Sequence, residues 1–180
     1  YHAWATHEDL MRLTEEMFGC LAESVTGSTK VTYGGWTESE PAVQLDFGGP
    51  YRRLPVLDGI REERPGLDIS DPGALVAEGA KLGLELNAAA PLGKLQMEVF
   101  EALWEEHLVQ PTFVTDFPTD VSPLARKSEE DPHVTERFEV YVAGREIGNG
   151  FSELNDPEDQ RARFQAQVDA KQRGEAEAMD

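Results

Sequence analysis

The 180-residue sequence predicts an α+β fold, a largely antiparallel sheet flanked by helices. Three observations predict it. Residues 136–154 alternate polar and apolar side chains on both sides of Ala143 and Gly144, the pattern of a two-stranded hairpin. Stretches near the start, middle and end carry apolar residues at helical spacing behind capping residues. The helical middle lies between two strand-rich regions, so it reads as a piece packed beside a sheet.

The elements follow in order. Thr6 can cap a first helix whose first turn carries Glu8 and Asp9, where the helix dipole favours acids. Leu10, Leu13, Met17 and Leu21 give it an apolar stripe, and Gly27 ends it. Residues 31–33 are strand-like. Residues 43–47 alternate with period two, Gly48-Gly49-Pro50 makes a turn, and residues 51–54 are expected to return as a strand. Asp71-Pro72 places a cap and an N1 proline before the next helix, and Gly83 stops it. Leu95, Val99, Phe100 and Leu103 form the stripe of a helix over 92–107. Residues 111–117 read as a buried strand and 120–132 as a polar loop. Asp156-Pro157-Glu158-Asp159 opens a last helix, with Phe164 and Val168 on its buried face. An acidic tail follows Gly174.

Composition narrows the function. A formal net charge of −19 repels phosphate at long range and argues against nonspecific binding of nucleic acid or anionic membranes. The apolar runs are too short for a transmembrane helix, and no signal peptide is visible. One cysteine, Cys20, excludes an intrachain disulfide framework and fits a reducing, cytoplasmic compartment. The chain opens at Tyr1 without a methionine and closes at Asp180 just after a helical pattern, so a piece of a longer polypeptide is expected.

The hairpin carries the chemistry. If Ala143 and Gly144 form a two-residue turn, Tyr141 pairs with Glu146, and Glu139 is its diagonal neighbour on one face, ~7–8 Å away at the backbone. Two such carboxylates can converge on a hard divalent cation and leave room for phosphate oxygens, the arrangement Mg²⁺ prefers. Strict alternation would put Asn149, Phe151 and Glu153 on the other face. A one-residue bulge would bring them round, and Gly148 is the expected place for it. Spacing leaves two readings open: a metal pocket beside a cation-binding pocket, or a solvated sheet face with ordinary bulge glycines.

A resemblance separates them. Glu136-Arg137-Phe138-Glu139, followed by Gly144-Arg145-Glu146-Ile147-Gly148-Asn149-Gly150-Phe151-Ser152-Glu153-Leu154-Asn155-Asp156, resembles the signature strand pair of class II lysyl-tRNA synthetases. Gln110-Pro111-Thr112-Phe113, Ser122-Pro123-Leu124-Ala125-Arg126 and the opening Tyr1-His2-Ala3-Trp4-Ala5 are similar to the same family. The resemblance implies the class II catalytic-core fold in part, with residues 1–180 lying between the family's motifs 2 and 3. Residues 55–107, approximately, would be a helical insertion, and 108–171 the signature strands and following helix. It further implies Mg²⁺ ligands at Glu139 and Glu146, and a lysine pocket at Asn149, Phe151 and Glu153 with Tyr1 touching the amino acid. Glu153 would pair with the substrate's ε-ammonium.

ATP, L-lysine and tRNA(Lys) are the implied partners, and a homodimer the implied state of the full-length protein. No catalytic acid or base is expected, because a free lysine carboxylate is already ionised and positioning plus charge neutralisation suffice. Two alternatives remain at this point: a lysine ligase acting on elongation factor P, and a non-catalytic synthetase-like binding domain. His2, His7 and His107 read as structural, Cys20 and the tryptophans Trp4, Trp36 and Trp104 as packing, Arg126 and Lys127 as part of a solvated loop, and Asp156 to Asp159 as helix capping.

Overall fold

Residues 1–35 and 41–172 are described in this computed structural model. Trp36 and the acidic tail after Gly174 therefore lie outside the described residues. Five helices are described: α1 (His7–Thr26), α2 (Val56–Glu63), α3 (Pro72–Lys81), α4 (Leu92–Trp104) and α5 (Pro157–Gln172). The strands are β1 (Lys30–Tyr33), β2 (Val43–Asp46), β3 (Arg52–Pro55), β4 (Thr112–Pro118), β5 (Val134–Val142) and β6 (Arg145–Phe151).

A four-stranded sheet runs β3-β4-β5-β6. β4, β5 and β6 are antiparallel neighbours, whereas β3 lies parallel to β4. The return of residues 51–54 onto 43–47 does not occur. β2 pairs with β1 in a separate antiparallel ribbon, and β3 departs to pair Arg52 with Thr112 and Leu54 with Val114. The physical reason is burial: Leu54 is 2% exposed beside Val114 in the main core, a gain that a surface hairpin with β2 would forgo.

The sheet has two different faces. On one, Phe113, Phe138 and Val140 pack with Tyr51 against Met11 of α1. The Phe113 ring stacks on Tyr51 at 5.6 Å and meets Phe138 edge-on at 5.3 Å. On the other, Leu54, Val114, Phe117 and Tyr141 pack against Val56 and Ile60 of α2, Leu75 of α3, and Leu95, Val99 and Phe100 of α4. Each large apolar side chain buried this way contributes roughly 1.5–3 kcal/mol. Gly59 has no side chain to spare, because a Cβ there would sit 2.6 Å from the Phe100 ring. Its carbonyl accepts the Trp104 indole N–H at 2.9 Å, which locks α2 onto α4.

α1 begins where Asp9 accepts the Thr6 backbone N–H at 2.8 Å, and ends at Gly27 with φ of 76°. Its buried stripe differs from the expected one. Leu10, Met11 and Phe18 join the sheet, while Leu13, Met17 and Leu21 are 55%, 46% and 53% exposed. α1 carries two adjoining apolar stripes, and the sheet covers one. Phe164 and Val168 of α5 are likewise about two-fifths exposed, at 40% and 39%, rather than buried. α5 is held by Arg163 instead, which donates to the Ala125 carbonyl at 2.8 Å and grips Asp159 at 2.8 Å. No helix among the described residues is long and apolar enough to cross a membrane.

Candidate active site

Helices α2 to α4 lie over β3 and β4. The same face of β5 and β6 carries charged and polar side chains, and its construction starts at the turn. Ala143 and Gly144 both have positive φ, 55° and 71°, as a two-residue hairpin turn requires. Val142 then faces Arg145, and Tyr141 faces Glu146. The register next shifts by one: Val140 faces Gly148, leaving Ile147 as the extra residue. The bulge expected at Gly148 thus has its unpaired residue one position earlier.

Its consequence is geometric. Beyond the shift Glu139 faces Asn149 and Arg137 faces Phe151, so Arg137, Glu139, Tyr141, Glu146, Asn149 and Phe151 share one face. Glu153 lies two residues beyond Phe151 and continues that alternation, held by an antiparallel bridge to Ala125. The opposite face is closed. Gly150 there leaves room for the Phe138 ring, which a Cβ would meet at 2.7 Å, while Leu10 of α1 would lie at an ordinary contact distance of 3.6 Å. The Ser152 hydroxyl accepts the His7 backbone N–H at 3.1 Å, tying the start of α1 behind Glu153.

The carboxylates are unequal. Glu139 is only 6% exposed, and Glu146 is exposed. Glu139 accepts from the Arg137 guanidinium at 2.5 Å on one oxygen and from the Tyr141 hydroxyl at 3.0 Å on the other. Burial raises the Glu139 carboxyl above the usual carboxylate range; Arg137 opposes that rise and nearby Glu146 adds to it. Glu146 accepts from the Asn149 amide at 3.2 Å. Asn149 and Glu153 are exposed and Phe151 is half-buried. Tyr1, at the start of the chain, is fully exposed.

Sequence reasoning missed Arg137, Tyr141 and Ser122. The alternation that selected Glu139 puts residues 137 and 141 on the same face, so the first two were findable. Ser122 was not, because only the folded loop carries it to Arg137, whose guanidinium donates to its Oγ at 3.0 Å.

A divalent cation fits this donor set. Both Glu139 and Glu146 offer hard oxygens, and a cation between them would offset the burial and the mutual repulsion that raise Glu139. Among the described residues, no three or more His, Cys, Asp or Glu side chains gather to hold a metal unaided. Two carboxylates leave positions for ligand oxygens, as Mg²⁺ bound with phosphates requires.

The family model for class II tRNA synthetases (D, K and N) matches residues 1–179, and the chain belongs to that family. Its similarity runs closer to one branch. It is 47% identical over 182 residues to a lysine–tRNA ligase of Yersinia enterocolitica (serotype O:8 / biotype 1B), covering 99% of this chain and 35% of that protein. It is 46% identical, with the same coverage, to the heat-inducible lysine–tRNA ligase of Escherichia coli K12. The chain thus spans about a third of the length of the curated relatives it matches.

Proposed function

We propose that this chain is the part of a lysine–tRNA ligase that holds lysine and the metal side of ATP. Residues 1–180 form one partial catalytic domain, with the helices of 55–107 inserted into it. The reading rests above all on the bulged hairpin, whose register shift gathers Glu139, Glu146, Asn149 and Phe151 on one face in a family that joins amino acids to tRNA.

In this reading Glu139 and Glu146 hold Mg²⁺, which when bound with ATP draws negative charge off the phosphates. Asn149 and Phe151 line the amino-acid pocket, Glu153 receives the ε-ammonium, and Tyr1 touches the substrate. An ion pair at 4 Å is worth about 4 kcal/mol at an effective dielectric near 20, enough to prefer lysine over an uncharged isostere. The chain's own groups position and neutralise; none needs to move a proton to start the reaction, because the attacking carboxylate is already ionised. The products are lysyl-adenylate and then lysyl-tRNA, made in the cytoplasm by a homodimer of the full-length protein.

The test uses full-length protein with lysine and ATP, offered tRNA and elongation factor P side by side. Lysine should transfer to tRNA. Transfer to elongation factor P alone would move the protein to the other ligase, and failure to activate lysine at all would refute the proposal.

A further inference from the structure

Arg137 lies on the site face between the metal-side and the lysine-side residues, opposite Phe151 in the register. Its guanidinium is fixed on every side. One nitrogen donates to Glu139 at 2.5 Å. Another donates to the Val121 carbonyl at 3.1 Å and to the Ser122 hydroxyl at 3.0 Å. The guanidinium carbon stands 4.6 Å from the centre of the Phe117 ring.

The anchors are themselves held. Ser122 is 2% exposed, and its carbonyl accepts from Arg163 at 3.2 Å. The loop beyond it is laced to the end of β6, with Arg126 N–H donating to the Ser152 carbonyl at 2.8 Å and Leu154 N–H to the Leu124 carbonyl at 2.9 Å. The loop thus has anchors besides Arg137, whereas Glu139 has two holders, Arg137 on one oxygen and the Tyr141 hydroxyl on the other.

We propose that Arg137 is a positioning residue: it transmits the rigidity of the loop at Val121 and Ser122 to Glu139 and presets that carboxylate for a divalent cation. This rests on the reading of Glu139 as a metal ligand. Two effects compete, since the Arg137 charge repels an incoming cation while its hydrogen bonds hold the ligand ready. Its planar fork, engaged by acceptors on both sides, favours the second. A lysine at this position would keep the charge and lose the fork.

The experiment measures Mn²⁺ binding to the full-length protein by electron paramagnetic resonance titration, with a non-hydrolysable ATP analogue present. Lysine binding is measured in parallel by calorimetry without metal. Arg137→Lys and Arg137→Met should each weaken Mn²⁺ binding about tenfold and change lysine affinity by less than about twofold, because Glu153 is held by the loop and not by Arg137. Ser122→Ala removes only one of the anchors of Arg137 and should weaken Mn²⁺ binding about two- to threefold, less than the roughly 10–100-fold typical of losing a whole outer-shell partner. Unchanged or tighter Mn²⁺ binding in the Arg137 variants overturns the inference. Glu139→Gln separates the two layers: if it binds Mn²⁺ like the parent protein, the ligand assignment itself fails; if it loses Mn²⁺ while the Arg137 variants do not, only the positioning role fails.

Discussion

Glu78 and Glu139 are each 6% exposed, yet Glu139 lies deeper in the protein, and their surroundings push them in opposite directions. Glu78 belongs to the helical layer over β3 and β4. Lys81 at 2.7 Å and Arg64 at 2.5 Å saturate it, and those bonds hold its carboxyl below the usual range. Glu139 belongs to the β5–β6 half of the sheet. Arg137 and Tyr141 hold it, yet burial still raises its carboxyl, and Glu146 adds to the rise. A carboxylate fully matched by cations belongs to the scaffold. A hydrogen-bonded carboxylate whose charge is left under-compensated, beside a second acid, is suited to receive a cation from outside.

The contrast between the two halves can be broken from behind. α1 packs the opposite face of the sheet on Phe138, and Gly150 makes room for the Phe138 ring. Gly150→Ala would place a methyl 2.7 Å from the Phe138 ring, so either the ring or β6 must shift. The expected loss is roughly 1–3 kcal/mol of stability in urea denaturation, accompanied by weaker lysine binding. Unaltered stability would mean that the Phe138 ring is not packed against Gly150.

The two glutamates sharpen it through pH. A lowered carboxyl contributes stability that is present above its unfolded value and lost as pH falls through the folded one. Glu78→Gln should therefore cost about 1–2 kcal/mol near neutrality, the loss of charge-assisted bonds to partly solvated partners, and this cost should shrink on acidification. A raised carboxyl behaves oppositely: its contribution is fully present below the unfolded value and is lost as pH rises through the folded one. Glu139→Gln should thus compare less well with the parent at low pH and progressively better as pH climbs from the ordinary carboxylate range. Urea denaturation of the metal-free protein across that range should give opposite slopes for the two variants; parallel slopes would erase the distinction.

Much of this was legible in the sequence, and the reasons are local. Gly144 and Gly150 announce a hairpin with an irregular strand, because few other residues tolerate the positive φ of the first or the close approach of the Phe138 ring to the second. Asp71-Pro72 and Asp156-Pro157 mark helix starts for the same kind of reason. The illegible parts are those decided far along the chain. Nothing near Arg52 says that its partner is Thr112, sixty residues on, in parallel rather than antiparallel register. Periodicity gave α1 an apolar stripe but could not say which of two adjoining stripes the sheet would cover. For the site, spacing supplied the acids and the need for a bulge, and the fold supplied Arg137, Tyr141 and Ser122, the groups that hold Glu139 and its anchor.

In the proposed function, the open face of β5 and β6 selects lysine through Glu153. The measurement that tests it most directly is lysine-dependent ATP–pyrophosphate exchange by the full-length protein carrying Glu153→Gln. Replacing that carboxylate by an isosteric amide should abolish exchange while leaving thermal unfolding unchanged, since Glu153 is exposed. A variant that still activates lysine at the parent rate would contradict the claim.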